Sequence, residues 1–154
     1  MKQPSIKIED HKSATAGKNG HILLVEDSHF NQILAFNFLQ ELNYSVDIAE
    51  NGVEALKKCQ ETIYDVIIMD IVMPVMDGFT ATKELRKRGD KTPIIALTGN
   101  VFEKKKLLQN GMDGFIAKPY HKDDLLVELE HWCLKSNKIV VSTYPLQSNQ
   151  EKSS

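Results

Sequence analysis

Five short apolar runs, each followed by a longer amphipathic stretch, constrain the fold of this chain more than any other feature. The runs are Ile22–Val25, Tyr44–Ile48, Val66–Met69, Ile94–Leu97 and Gly114–Ala117. They are short, and several are rich in Val and Ile, the pattern of strands buried on both faces. The stretches after them, roughly 29–42, 52–60, 78–87, 101–110 and 122–135, read as helices. Such strand-then-helix repeats require a parallel sheet covered by helices on both faces and joined by right-handed crossovers. In sheets of this kind ligands bind beyond the carboxyl ends of the strands, near the point where strand order reverses.

The 154 residues suit one ordinary domain, and 42% apolar with 26% charged residues is a globular rather than a disordered balance. Segment 1–20 is rich in Lys, Ser and Gly, and after Met1 offers only Ile6 and Ile8 as sizeable apolar groups. It buries too little to offset ordering and is expected to be a flexible tail or linker. Segment 137–154 reads the same way apart from the β-prone patch Ile139-Val140-Val141, so the domain is expected over residues 21–136. A net charge of −2 gives no electrostatic footprint for nucleic acid or an anionic membrane. No apolar run reaches membrane-span length, and the N-terminus has no signal-peptide core. Cys59 and Cys133 match no metal-ligand spacing and sit in apolar helical patterns, as small buried hydrophobes do. A reducing, cytoplasmic setting is expected.

The polar residues at the strand ends carry the chemistry. The first run leads into Glu26-Asp27, the third into Asp70, the fourth into Thr98, and the fifth into Lys118-Pro119. In a parallel sheet all of these converge on one edge. Carboxylates this close repel one another unless a cation intervenes. An all-oxygen carboxylate site suits Mg²⁺, with Mn²⁺ as a substitute. Lys118 adds a compact positive charge and Thr98 a hydroxyl donor, and together the groups make a receptor for a dianionic phosphoryl group. The competing explanation is that the acidic residues merely cap helices; Asp27 or Ser28 is placed to cap the first one. That accounts for one residue at a time, not for the whole set on the right strands in the right order.

The motifs ILLVEDS with NQ following, AENGVEAL, YDVIIMDIVMPVMDGF, PIIALTGN and GMDGFIAKP are similar to those of the response-regulator receiver domains of two-component and phosphorelay systems. The chain most resembles receivers attached to hybrid sensor histidine kinases, and the likeness covers about three quarters of it. The resemblance implies a flavodoxin-like, doubly wound five-stranded sheet in the order 2-1-3-4-5 with five helices. It implies that Asp70 is the phosphoacceptor, that Glu26, Asp27, Asp70 and the main-chain oxygen of Val72 hold the metal, and that Thr98 and Lys118 bind the phosphoryl group. It also assigns Thr98 and Phe115 to a switch that reads phosphorylation. Two positions depart from the common pattern: Gly99 stands where Ala is frequent, and Val72 is apolar where a polar side chain is frequent.

By the same resemblance the donor is a phosphohistidine on a histidine kinase or histidine phosphotransfer domain. The chain would then catalyse only its own phosphorylation and dephosphorylation. At about 100° per residue, Ala35, Phe38, Leu39 and Leu42 share one face of the first helix and should pack on the sheet. Phe30 and Ile33 fall roughly opposite, beside the site, and are expected to form a docking face for the helical donor. An FMN-binding flavodoxin-like protein shares the topology but wants a Ser/Thr- and Gly-rich phosphate loop where Glu26-Asp27 stands. An aspartate-nucleophile phosphatase wants a second Asp at position 72, which is Val. A non-phosphorylated pseudo-receiver would not need the complete set of groups.

Overall fold

The structure, a computed structural model, describes residues 19–143. Its strands are β1 (His21–Val25), β2 (Ser45–Ala49), β3 (Val66–Asp70), β4 (Ile94–Thr98) and β5 (Gly114–Ala117). They form one parallel sheet in the order β2-β1-β3-β4-β5. The helices are α1 (His29–Glu41), α2 (Gly52–Glu61), α3 (Gly78–Lys87), α4 (Lys104–Gln109) and α5 (Lys122–Thr143). Among the described residues, no helix is long and apolar enough to cross a membrane.

The runs of β1, β3 and β4 lack polar alternation because both faces of the sheet are covered there, while the edge strand β2, SVDIA, alternates and is only partly buried. Leu23 and Val25 of β1 pack into one layer with Ala55, Leu56, Ala81, Leu85 and Leu107 from α2, α3 and α4. Ile22 and Leu24 pack into the other, with Ala35 and Leu39 of α1 and Leu125 and Leu129 of α5. β3 and β4 are buried along their whole length. Removing one such side chain from water contributes roughly 1.5–3 kcal/mol, against about 1–2 kcal/mol to fix one residue's backbone. The central strands are therefore the rigid frame on which the loops are mounted. Cys133 lies within the second layer, and Cys59 is half-buried against the first.

The strands begin or end within one residue of the sequence expectation, and two helices depart further. The helix expected over 101–110 is a 3₁₀ turn, Val101–Glu103, followed by the short α4. Asn100 accounts for the break: its side chain accepts the Phe102 N–H at 3.0 Å and closes a tight turn before the helix begins. The helix expected over 122–135 runs on to Thr143, past the expected domain end at 136. A helix already nucleated by packing propagates at little cost, and the β propensity of Ile139-Val140-Val141 counts only where a sheet neighbour is on offer. The rest of the expected tails, residues 1–18 and 144–154, lie outside the described residues.

Candidate functional site

Parallel strands place their carboxyl ends on one edge, and the candidate residues meet there. Glu26 and Asp27 follow β1, Asp70 and Thr98 end β3 and β4, and Lys118 follows β5. One carboxylate oxygen from each of Glu26, Asp27 and Asp70 lies within 4.8 Å of the others. Glu26, Asp70 and Thr98 are buried and Asp27 is exposed. Lys118 Nζ stands 2.9 Å from Asp70 Oδ2. Ser28, not Asp27, caps α1: its hydroxyl accepts the Asn31 N–H at 3.3 Å. Asp27 is thereby free of the capping role.

Burial pushes the Glu26 carboxyl above the usual carboxylate range. The Ser28 backbone N–H, donating to Oε2 at 3.1 Å, opposes that rise, Asp70 adds to it, and Lys118 opposes it. Three carboxyl groups against one ammonium leave a surplus of negative charge. Oxygens that ligate one Mg²⁺ at about 2.1 Å stand at most about 4.2 Å apart. Three oxygens within 4.8 Å need only a small closure, or one intervening water, to share such an ion. The hard, all-oxygen donor set fits Mg²⁺.

Thr98 sits at this edge with its hydroxyl engaged by the turn that follows. It accepts the Asn100 N–H at 2.9 Å and donates to the Asn100 carbonyl at 3.3 Å. Phe115 of β5 is partly buried against the α2–α4 layer. Val72 is exposed in the loop after β3. On α1 the helical projection holds: Ala35 and Leu39 are buried, and Phe38 and Leu42 are partly buried against the core. Phe30 is 73% exposed and Ile33 51%.

Several supporting residues escaped the sequence reading. A Cβ on Gly78 would collide with the Asp70 carbonyl oxygen and stand 2.9 Å from Ile71 Cα, while the Gly78 N–H donates to the Ile71 carbonyl at 2.8 Å. The start of α3 is thus pressed against the backbone of Asp70, and only Gly fits there. The Gly in VMPVMDGF was the available signal. Gly99 has no such neighbour: a Cβ there would meet nothing within 4 Å, so the departure from Ala removes no packing. Gln32, in the NQ of the first motif, donates from Nε2 to the Glu26 carbonyl at 2.8 Å.

A doubly wound 2-1-3-4-5 sheet, with a hard-cation acidic cluster and a lysine-paired aspartate at its carboxyl edge, defines a receiver-type α/β protein. A family model for the response regulator receiver domain matches residues 22–130. The chain belongs to that family. It is 44% identical over 122 residues to transcription factor SKN7 of Candida albicans, a match covering 77% of this chain and 22% of that protein. It is 41% identical over 121 residues to hybrid signal transduction histidine kinase G of Dictyostelium discoideum, covering 74% of this chain and 4% of that one. The chain thus spans a minor part of the length of either relative. Among solved structures it is similar to the receiver domain of sensor histidine kinase PA1611 from Pseudomonas aeruginosa PAO1, which holds a magnesium ion in its active-site cleft. That match has a TM-score of 0.69 and 38% identity, covering 75% of this chain and 98% of that one. The FMN alternative has no support, because the loop after β1 carries Glu26 and Asp27 where a phosphate loop would stand. Nor has the pseudo-receiver alternative, because the acidic cluster and its lysine are intact.

Proposed function

We propose that this chain is a phosphorelay receiver that accepts a phosphoryl group on Asp70 from a phosphohistidine of a histidine kinase or histidine phosphotransfer domain, in the cytoplasm. The observation that carries the reading is the pairing of Lys118 Nζ with Asp70 Oδ2 at 2.9 Å beside the three-carboxylate cluster. An Asp70 carboxylate oxygen attacks phosphorus in line. The new O–P bond forms as the N–P bond of the phosphoimidazole breaks, and the imidazole leaves with the bonding pair and takes a proton from solvent. Lys118 neutralises charge on the equatorial oxygens, and positioning with electrostatics supplies most of the catalysis in such transfers. Glu26, Asp27, Asp70 and the main-chain oxygen of Val72 would hold Mg²⁺, or Mn²⁺ in its place, which when bound neutralises phosphoryl charge.

Phosphorylation is read by a change of partner. Thr98 leaves Asn100 and donates its hydroxyl to a phosphoryl oxygen, and Phe115 turns into the space vacated. This is a bistable packing element biased by a local charge change. Phe30 and Ile33 dock the helical donor beside the site. The test is incubation with Mg²⁺ and acetyl phosphate followed by intact-mass measurement. One base-labile phosphoryl group is expected on the wild type and none on Asp70→Asn. Equal labelling of the Asn variant refutes the acceptor assignment.

A further inference from the structure

The loop that carries the acidic pair is tied down by residues with no part in the chemistry. Gln32 lies on the face of α1 that packs on the sheet, together with Ala35 and Leu39, and is 6% exposed. A leucine would serve that packing better, since a buried amide costs free energy unless its hydrogen bonds are made. The Gln32 side chain spends its bond on the site: Nε2 donates to the main-chain carbonyl of Glu26 at 2.8 Å. From the sheet side the Glu26 N–H donates to the Ala49 carbonyl at 3.0 Å, and from the loop itself the Ser28 N–H reaches Oε2 at 3.1 Å. The peptide linking Glu26 to Asp27 therefore cannot rotate without breaking a buried bond. Asp27 needs that restraint, because its own side chain is exposed and its direction follows from the backbone beneath it.

We propose that Gln32 is a positioning residue for the metal site, its side-chain amide holding the carbonyl of Glu26 so that the acidic pair faces Asp70 before a cation arrives. The inference rests on the receiver reading of this edge. Preorganisation of this kind acts on affinity, because partners behind metal ligands typically change metal binding by about 10- to 100-fold when removed. Gln32→Leu keeps the volume, removes the donor and leaves the Glu26 carbonyl unpaired. Gln32→Met removes the same donor with a more flexible side chain of similar length.

The experiment is calorimetric titration of the wild-type chain and both variants with Mg²⁺, alongside thermal unfolding with and without the ion. Each variant should bind Mg²⁺ about tenfold more weakly, and the rise in Tm that Mg²⁺ brings should shrink in proportion. A purely structural role predicts a lower Tm with unchanged Mg²⁺ affinity, and that result in either folded variant overturns the proposal. Should Gln32→Leu fail to fold, Gln32→Met decides alone by the same criterion. If the wild type itself does not bind Mg²⁺, the receiver reading of the edge falls, and the positioning role falls with it.

Discussion

Replacing Asp27 by Ala should make the protein more stable without Mg²⁺ and less responsive to Mg²⁺. The carboxylate oxygens of Glu26, Asp27 and Asp70 lie within 4.8 Å of one another. Two unit charges at that separation repel by about 0.9 kcal/mol in a water-like medium and about 3.5 kcal/mol at an effective dielectric of 20. Asp27 is exposed, which places it near the lower limit, while it faces two acidic partners and only one ammonium, Lys118. Loss of the Asp27 charge is therefore worth about 1 kcal/mol to the metal-free fold. Its capping value is not at stake, because Ser28 caps α1. At a Mg²⁺ concentration tenfold above its dissociation constant, the ion stabilises the wild type by about 1.4 kcal/mol, and the variant forfeits most of that. The two stability curves should cross as Mg²⁺ is added. Urea unfolding followed by circular dichroism, in EDTA and in excess Mg²⁺, measures both limits. A variant less stable in EDTA with an undiminished Mg²⁺ response would refute the electrostatic argument and make Asp27 a structural residue.

Arg86→Ala should cost about 2–4 kcal/mol by urea unfolding, since its guanidinium binds the Gly111, Asp90 and Thr92 carbonyls and Asp113 at 2.8–2.9 Å; Arg86→Lys should rescue little of it, having no planar fork. Thr82→Val should raise Tm by a shift equivalent to about 1 kcal/mol, because Thr82 Oγ1 is buried with no hydrogen-bond partner among the described residues. Burial pushes the Cys59 thiol up to about 11, helped by Asp90 and opposed by Arg88. At pH 8 its thiolate fraction is then about 0.1%, against about a quarter for a free thiol, so alkylation by iodoacetamide should run about 250-fold slow and climb tenfold per pH unit to pH 10; a plateau near pH 9 in the mass-spectrometric rate would contradict the shift. Phe30→Ser/Ile33→Ser should impair transfer from a phosphohistidine protein while sparing labelling by acetyl phosphate. About 100 Å² of lost apolar contact at roughly 25 cal/mol per Å² caps the effect near a hundredfold, and equal losses for both donors would end the docking idea.

The central strands were readable because burial on both faces leaves a short Val- and Ile-rich run, and its regular alternation with longer amphipathic stretches separates it from a buried helix. β3 and β4 carry it without interruption, and their ends were placed within one residue. The five groups at the carboxyl edge were readable for a related reason: once the strands are parallel, topology alone brings Glu26, Asp27, Asp70, Thr98 and Lys118 to one side. What could not be read depends on contacts between residues far apart in the chain or on local hydrogen bonds. Gly78 is required by the approach of the Asp70 carbonyl, which only the packed α3 reveals. The start of α4 depends on one side-chain bond from Asn100, and the end of α5 on propagation against a local β propensity.

The same division explains how the site can carry unfavourable charge. Repulsion among the three carboxyl groups is a matter of a few kcal/mol at most, set by exposure and by Lys118. Ile22, Leu23, Leu24, Ile67, Ile68, Ile94, Ile95 and Leu97 are each fully buried in the strands directly behind it. At roughly 1.5–3 kcal/mol apiece, less about 1–2 kcal/mol for fixing each residue's backbone, that frame offsets an electrostatic penalty of this size. The acidic edge is therefore held together by apolar residues that take no part in its chemistry, and its residual strain is available for relief by a cation. A metal that binds only the folded edge then stabilises the fold and readies the acceptor in one event. For that coupling to hold, Mg²⁺ affinity and the Mg²⁺-dependent part of stability must change together across Asp27→Ala, Gln32→Leu and Gln32→Met, while Thr82→Val and Arg86→Ala move stability alone.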